Sequence, residues 1–273
     1  MKKPKIGIIT DKYHLERKMS EFLQYLKKKA EINIYVEESF VINSIDFNFN
    51  EDLFFVKGKG QIILNLIKLI ENQTSIPIIN SYKGIWLTIN RFMNSVYLQK
   101  AGIPIPEFSL NPLRINPPFE DYIIKNIIDQ KNYSFKPEIE KINGHLHIRD
   151  ARAINEKEQY QYFFYQQFIK SKWEYKVYAF GEKLFFYKQL PVLVNPNKME
   201  TRIEIDRILE LEEMTLKAMK VISLKLASID FLKTKENQFY LTDINSTPNF
   251  NYINGGYKII GDYLLEQAKK EEH

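Results

Sequence analysis

The chain has 273 residues, of which 44% are apolar, a formal net charge of +5 and no cysteine. A chain of this length and apolar content can bury a substantial core in two or three lobes, which excludes an intrinsically disordered protein. The absence of cysteine excludes disulfides, thiolate zinc sites and a cysteine nucleophile. A bound metal would therefore need oxygen or imidazole ligands.

The charge pattern and the hydropathy pattern exclude two classes of partner. No apolar run reaches the roughly 18–20 residues that span a bilayer, and the run Ile6–Ile9 is too short for a secretory signal. Acidic and basic residues are interspersed, without a long basic block or a known nucleic-acid-binding module. We expect a cytoplasmic protein that binds neither membrane nor nucleic acid. The positive balance favours a small, anionic substrate, and the sequence does not indicate an oligomeric state.

The first lobe, residues 1–82, is predicted from alternating strand and helix patterns, which are typical of a parallel sheet. The predicted strands are Lys5–Thr10, Ile32–Val36, Asp52–Lys57 and Ile76–Ile79, and the predicted helices are His14–Ala30 and Gln61–Glu71. Gly58-Lys59-Gly60 lies between a strand and a helix, where a phosphate can meet helix N–H groups. Two glycines match no phosphate-binding fingerprint, however, and favour a tight turn.

The second lobe, residues 83–170, is predicted to begin with a helix at Trp86–Ala101. Proline-rich Asn111–Phe119 predicts a loop, and Asp121–Lys125 predicts a strand. The polar segment Asn126–Asn143 predicts a long flap. Further strands are expected at about Leu146–Arg149 and Phe163–Ile169.

The third lobe, residues 171–273, is predicted to contain two hairpins and two helices. The hairpin strands are Glu174–Phe180 with Lys183–Gln189, and Ala227–Leu232 with Gln238–Ile244. Apolar residues at helical spacing predict a helix at Glu204–Ile222 and a final one at about Tyr257–Lys269.

Three polar side chains in the second hairpin form a candidate metal site. Asp230 lies inside an apolar strand, and Asp243 and Asn245 flank Ile244 at the end of the next strand. Side chains two residues apart share a face, so a hairpin would place Asp230 opposite the other two. Asp243 and Asn245 could simply cap a turn, but a carboxylate inside an apolar strand is costly unless it is paired or bound to metal. The pattern therefore predicts a Mg²⁺ site of oxygen ligands.

The segment Asp243-Ile-Asn-Ser-Thr-Pro248 resembles the C-terminal magnesium motif of ATP-grasp enzymes, especially those similar to RimK and glutathione synthetase. Other segments resemble that family's landmarks in the same order, from Ala101-Gly-Ile-Pro-Ile-Pro106 onward. The resemblance implies an α/β protein with the ATP-grasp fold: an N-terminal parallel-sheet lobe, followed by central and C-terminal lobes that sandwich ATP. It also implies ATP and Mg²⁺ as cofactors.

The same resemblance implies roles for individual residues. Lys125, in Tyr122-Ile-Ile-Lys125, would contact nucleotide phosphate, and Asn90-Arg91 stands where the family usually has Asp-Lys. The adenine site would be formed by the hinge strand with Gln166, Gln167, Phe168 and Ile169, and by Leu232. Lys176 and Lys188 would be catalytic cations, and Asp230, Asp243 and Asn245 the metal ligands. The family's glycine-rich flap is absent, which leaves Lys131, Lys136 and Lys141 as alternatives for a second phosphate-binding cation.

The acceptor of the phosphoryl group stays open between two branches of the fold. A carboxylate–amine ligase would form an acyl phosphate that an amine attacks, and a kinase similar to the inositol-phosphate kinases would phosphorylate a hydroxyl. The Ile103-Pro-Ile-Pro106 segment favours the ligase. A non-catalytic nucleotide-binding protein is a third possibility, although Asp230, Asp243 and Asn245 argue against it.

Overall fold

A computed structural model describes residues 3–42, 48–113, 115–129, 137–150 and 162–270. The helices within these ranges are α1 (Lys12–Lys18), α2 (Ser20–Lys27), α3 (Gln61–Gln73), α4 (Tyr82–Ile89), α5 (Arg91–Lys100), α6 (Leu209–Ile222) and α7 (Gly256–Lys269). The strands are β1 (Lys5–Thr10), β2 (Glu31–Val36), β3 (Leu53–Lys57), β4 (Ile78–Ile79), β5 (Phe108–Pro112), β6 (Tyr122–Lys125), β7 (Pro137–Ile142), β8 (His145–Asp150), β9 (Tyr162–Gln167), β10 (Glu174–Phe180), β11 (Lys183–Gln189), β12 (Ile203–Glu204), β13 (Leu226–Lys233) and β14 (Phe239–Asn245). None of these helices combines the length and the apolarity needed to cross a bilayer.

The first sheet is parallel, in the order β2-β1-β3-β4, as the alternating pattern predicts. Its two central strands are buried on both faces. Ile8 and Phe55 pack toward α2 and α7, whereas Phe54 and Val56 pack toward α3 and α4. The C-terminal helix α7 therefore returns to complete the core of the first lobe.

The central sheet has the order β5-β9-β6-β8-β7, in which only the β6–β8 pair is parallel. The third sheet is antiparallel, in the order β12-β11-β10-β13-β14, and contains both predicted hairpins. One face of the third sheet, with Val177, Ile229 and Phe231, packs against α6. The opposite face is therefore left for the first lobe at one end and for the cleft beside the central sheet at the other.

Two predicted helices are wrong because each is interrupted. The helix predicted at Trp86–Ala101 is divided into α4 and α5 at Asn90, whose side chain accepts a hydrogen bond from the N–H of Met93 (3.1 Å) and so caps α5. The helix predicted at His14–Ala30 breaks at Met19, which is fully buried. The helical spacing of apolar residues continues through both breaks, so the pattern alone does not reveal them.

Three predicted boundaries also need correction, since short strands lie where loops or a helix are expected. The flap predicted at Asn126–Asn143 contains β7, and the loop predicted at Asn111–Phe119 overlaps β5. The helix expected from Glu204 begins at Leu209, because Glu204 pairs with β11. Strand β7 is an exposed edge strand, and the polar residues that suit such an edge resemble those of a loop.

Two fully buried polar side chains join the first lobe to the third sheet. The Asn80 amide nitrogen donates to the carbonyls of Leu226 (2.8 Å) and Ser246 (2.7 Å), and its oxygen accepts from the Leu226 N–H (2.9 Å). The Lys57 ammonium donates to the carbonyls of Thr247 (2.7 Å) and Pro248. These bonds span more than 140 residues of sequence, so the two lobes are held together by polar contacts as well as by α7.

Burial lowers the pKa of Lys57 from 10.5 to about 7, which predicts a pH-dependent stability. Between these values the unfolded chain binds a proton that the folded chain does not, so the free energy of unfolding rises with pH. Relative to Lys57→Met, the wild type should gain about 2 kcal/mol between about pH 7 and about pH 9. Urea denaturation at both pH values measures the difference. The exposed control Lys83→Met should keep the wild-type slope, whereas equal slopes in wild type and Lys57→Met would contradict the prediction.

Candidate functional site

A polar cluster lies on the face of the third sheet that does not contact α6. Strand register pairs Lys176 with Asp230, and Asp230 with Asp243, so the three side chains share this face. The Lys176 ammonium forms a short ion pair with Asp230, and the two side chains are 13% and 15% exposed. Asp243, on the edge strand, is exposed. The third sheet therefore brings together two carboxylates and a lysine from three neighbouring strands, β10, β13 and β14.

The cations around Asp230 keep its carboxylate ionised. Burial alone would raise the pKa of Asp230, but the ammonium of Lys176 and the more distant charges of Lys198 and Arg202 lower it below its ordinary value. A carboxylate that stays charged in a largely buried site can bind either a cationic side chain or a metal ion. In this structure its partner is the cationic side chain of Lys176.

Asn245 lies on the same face as Asp243 and Asp230, because it pairs with Ser228. Its side-chain oxygen accepts hydrogen bonds from the N–H (2.9 Å) and the hydroxyl (3.1 Å) of Thr247. Two carboxylates and an amide oxygen suit Mg²⁺. A metal ion here would compete with Lys176 for Asp230 and with Thr247 for Asn245. No group of three histidine, cysteine, aspartate or glutamate side chains with metal-binding geometry occurs in the described ranges.

Lys125 and Gln166 bring the central sheet to this hairpin. The Lys125 ammonium donates to the side-chain oxygen of Gln166 (2.8 Å), and the amide nitrogen of Gln166 donates to the carbonyl of Thr242 (3.3 Å). Burial lowers the pKa of Lys125, against the opposing effect of Asp243. A small cavity between the two sheets is lined by both side chains and by Asp243. Lys125 and Asp243, one of the predicted metal ligands, thus border one cavity in the cleft between the sheets.

Asp129 pairs with cations from two other segments beside this cleft. No sequence motif predicts this role for Asp129. Its carboxylate forms ion pairs with Lys59 (2.7 Å) and Arg91 (3.2 Å). The main chain supports this arrangement, since the Asp129 N–H donates to the carbonyl of Ile89 (2.7 Å). Burial would raise the pKa of Asp129, but Arg91, Lys59 and Lys125 together lower it. Asp129 therefore partly neutralises Lys59 and Arg91, of which Arg91 lines the cavity together with Lys125.

Arg202 is a second residue that sequence reasoning misses, because it lies in a polar segment without a motif. Its guanidinium donates to the oxygens of Gln189 (2.7 Å) and Tyr178 (2.8 Å), and lies 4.9 Å from the ring centroid of Tyr252. Gln189 and Tyr178 are buried. None of the ion pairs in the described part of the chain includes Arg202. The guanidinium is therefore oriented by hydrogen bonds to neutral groups, and its charge acts on the carboxylate of Asp230.

The residues expected to bind adenine lie at the end of β9, in the segment directly after it, and on β13. The N–H of Gln167 donates to the carbonyl of Glu107 (2.8 Å), and that of Phe168 donates to the carbonyl of Asp121 (2.8 Å). Both N–H groups are thus committed to protein partners. Ile169 is buried at the end of this segment. Leu232 is half-buried and lies two residues from Asp230 on the same strand, hence on the same face.

The structure does not bring Lys188 together with Lys176. Lys188 pairs with Tyr175, one residue away from Lys176, so its side chain lies on the opposite face of the sheet. There its ammonium is 5.2 Å from the ring centroid of Trp173. Of the alternatives for a second phosphate-binding cation, Lys141 is exposed on β7, and Lys131 and Lys136 lie outside the described residues.

After the Gly58-Lys59-Gly60 turn, the N-terminus of α3 is occupied by a carboxylate of the protein itself. The carboxylate of Glu37 accepts hydrogen bonds from the N–H groups of Ile62 (2.9 Å) and Ile63 (3.4 Å) at the start of α3. A Cβ atom at Gly60 would lie 2.0 Å from this carboxylate. Glycine therefore leaves room for the carboxylate of Glu37, whose flexible side chain would otherwise have to move.

Comparison with known proteins identifies the fold. No family model and no curated protein sequence matches the chain. Solved structures match almost its whole length. A RiPP-associated ATP-grasp ligase from Chryseobacterium gregarium, in complex with ADP and a leader and core peptide, is 15% identical, with a TM-score of 0.67 and 97% of each chain covered. A D-alanine–D-alanine ligase from Bacillus anthracis complexed with ATP is 15% identical, with a TM-score of 0.68, and covers 99% of this chain and 100% of that one.

A third structure, an ATP-grasp RimK domain protein from Sphaerobacter thermophilus, is 10% identical, with a TM-score of 0.68 over 96% of this chain and 99% of that one. The chain has the ATP-grasp fold. The α/β architecture expected from the Asp243–Pro248 motif and its companions is thereby confirmed. The expected similarity to inositol-phosphate kinases has no counterpart among these three structures.

The ion pairs of Asp129 predict how the ATP-grasp cleft responds to an anion. Asp129→Asn removes the carboxylate that partly neutralises Lys59 and Arg91, so inorganic triphosphate should bind more tightly. An ion pair of this kind is worth about 1 kcal/mol, or about fivefold in Kd. Isothermal titration calorimetry measures the change. Glu138→Gln, which removes the exposed partner of Arg149 elsewhere in the central sheet, is the matched control. Weaker binding by Asp129→Asn would mean instead that Asp129 orients Arg91 for the anion.

Proposed function

We propose that this protein is an ATP- and magnesium-dependent carboxylate–amine ligase that forms an acyl phosphate. The observation that carries the proposal is the shared face of Lys176, Asp230 and Asp243, opposite Lys125 across the cleft. The names of the structures with the same fold support ligase chemistry, and two of those structures are complexes with ADP or ATP. The site has the parts that phosphoryl transfer requires: fixed cations and oxygen ligands for a metal.

In this proposal each residue acts on charge or position. Lys125 and Arg91 bind nucleotide phosphates from the central side of the cleft, and Asp230, Asp243 and Asn245 hold magnesium on the other. The metal supplies charge neutralisation on the phosphate oxygens. Lys176 and Arg202 stabilise negative charge on the phosphoryl group as it transfers. Leu232 and Ile169 provide an apolar surface for the adenine.

The proposed reaction has two steps. A carboxylate oxygen of the acid attacks the γ-phosphorus of ATP, the bond to the β-phosphate oxygen breaks, and ADP leaves. The amine then attacks the acyl carbon, phosphate leaves with the bonding electron pair, and the amine nitrogen loses a proton. Arg202 lies beside the Lys176–Asp230 pair, where a carboxylate or acyl phosphate would need a cation. The acceptor acid is therefore expected on the Arg202 side of the cleft.

The acceptor could be either a small molecule or a peptide. The D-alanine–D-alanine ligase acts on a small molecule by its name, whereas the Chryseobacterium ligase is in complex with a leader and core peptide. We favour a small anionic acceptor, in line with the net charge of +5. A peptide acceptor is an alternative outcome of the activity experiment below.

The metal assignment predicts a loss of ligand-induced stabilisation. Mg-ADP at about one hundred times its Kd should stabilise the wild type by about 2.7 kcal/mol, a rise in Tm of roughly 5–10 °C. Asp243→Asn should abolish the magnesium-dependent part of this shift, because it removes an exposed anionic ligand. Asp262→Asn, which alters an exposed aspartate paired with Lys29, serves as control. An undiminished shift in Asp243→Asn would reject the metal site.

The reaction type is tested by incubation with ATP, Mg²⁺ and pools of amino acids, short acidic peptides or inositol phosphates, followed by mass spectrometry. We expect ADP, phosphate and a new product lighter than its two precursors by one water. A product that gains a phosphoryl group would reject the ligase in favour of a kinase. If no pool promotes ATP consumption while Mg-ADP still binds, a non-catalytic nucleotide-binding protein becomes the better explanation.

A further inference from the structure

Three consecutive carbonyl groups that follow the predicted metal ligand Asn245 are bound by side chains of the first lobe. The Ser246 carbonyl accepts a hydrogen bond from Asn80 (2.7 Å), and those of Thr247 (2.7 Å) and Pro248 accept from the Lys57 ammonium. Lys57 ends β3 and Asn80 follows β4, its parallel neighbour. The carboxyl edge of the first sheet therefore serves as the support for this segment.

The supported segment in turn holds a predicted metal ligand. Thr247 donates from both its N–H (2.9 Å) and its hydroxyl (3.1 Å) to the side-chain oxygen of Asn245. Thr247 is buried and Asn245 is half-buried. A continuous path of hydrogen bonds thus runs from the Lys57 ammonium through Thr247 to the amide of Asn245.

The burial of Lys57 is energetically unfavourable. Its side chain is 1% exposed, and its ammonium is bound by two carbonyl oxygens and lies 5.2 Å from the ring centroid of Phe250. Burial disfavours the charged form of this lysine, an effect that the charge of Asp11 only partly opposes, and an apolar residue of similar volume is often no less stable. What an apolar residue lacks is the ability to bind two successive carbonyls across a lobe boundary. Burying Lys57 costs stability, but its two hydrogen bonds fix the position of the Thr247–Pro248 segment.

Lys57 and Asn80 differ in what they hold. Asn80 also binds the N–H groups of Lys225 (2.8 Å) and Leu226 (2.9 Å), at the start of β13, and so contributes to the sheet itself. The hydrogen bonds of the Lys57 ammonium reach only Thr247 and Pro248 within the described ranges. A change at Lys57 therefore acts on the loop of the metal motif more selectively than a change at Asn80.

We infer that Lys57 is a positioning residue for the metal site: by holding the carbonyls of Thr247 and Pro248 it sets the orientation of the Asn245 amide, so that the magnesium affinity of the third lobe depends on the first. This inference rests on the proposed function, since it requires that Asn245 binds magnesium. Lys57 itself contacts neither nucleotide nor metal in this scheme. Its effect is expected on magnesium binding and not on nucleotide binding without metal.

The experiment measures ADP binding by calorimetry over a Mg²⁺ titration and, separately, in the presence of EDTA. In Lys57→Met we expect the Mg²⁺ concentration for half-maximal enhancement to rise about fivefold or more, the equivalent of about 1 kcal/mol, with an unchanged Kd for ADP in EDTA. Thr247→Val, which removes the hydroxyl donor to Asn245 and keeps the N–H, should shift the same midpoint in the same direction. The exposed control Lys83→Met should leave both quantities unchanged.

The outcomes separate this inference from the proposed function. If ADP binding to the wild type does not depend on Mg²⁺, the proposed function fails and the inference fails with it. If the wild type responds to Mg²⁺ and Lys57→Met has the same midpoint, the inference alone is rejected. A loss of ADP affinity in EDTA equal to that in Mg²⁺ would assign Lys57 a purely structural role and would also reject it. Should Lys57→Met fail to fold, Thr247→Val decides, and an unchanged midpoint there overturns the inference.

Discussion

The ion pair between Lys176 and Asp230 is the interaction on which the site depends. Both side chains lie in the middle of a sheet whose other face is apolar and covered by α6. A lone carboxylate there would tend to take up a proton. The ammonium of Lys176 keeps the Asp230 carboxylate charged, and the register places Asp243 directly beside the pair. The sheet thus keeps a carboxylate ionised at the edge of a cleft, where an exposed aspartate can complete a cation site.

The first lobe and the central sheet restrict this site from two directions. Gln166 reaches from β9 to the main chain of Thr242, next to Asp243, while Lys57 reaches from β3 to the main chain beyond Asn245. Both contacts use long side chains and main-chain carbonyls, so their geometry does not depend on the identity of the residues they hold. The edge strand β14, which has a sheet neighbour on only one side, gains its second support from these side chains.

The sequence predicts those features that are local or periodic. The hairpin of β13 and β14 follows from two apolar runs and a short turn, and the shared face of Asp230, Asp243 and Asn245 follows from the period of two. The sequence does not predict features that depend on residues distant along the chain. Arg202, Asp129 and the support by Lys57 lie in segments without a recognisable motif, and their partners are brought near only by the fold.

The error for the helix at Trp86–Ala101 has a similar origin, because the cap at Asn90 coincides with a bridge to Ile128 that local spacing does not encode. Lys188 illustrates a different limit. A single residue of register separates the face of Lys176 from the face of Trp173, and a resemblance between strands does not specify that register.

Two cations are held by the side-chain oxygen of a glutamine and not by a carboxylate. Carboxylates neutralise Lys176, Lys198 and Lys59, but Lys125 and Arg202 are each held by the side-chain oxygen of a buried glutamine, Gln166 and Gln189. A glutamate at either position would orient the cation equally well and cancel its charge. An amide orients the cation without cancelling it, so the attraction for an anionic ligand persists. Lys125 ends β6 of the central sheet and Arg202 directly precedes β12 of the third, so the same arrangement of a cation held by a buried glutamine occurs beside two different sheets.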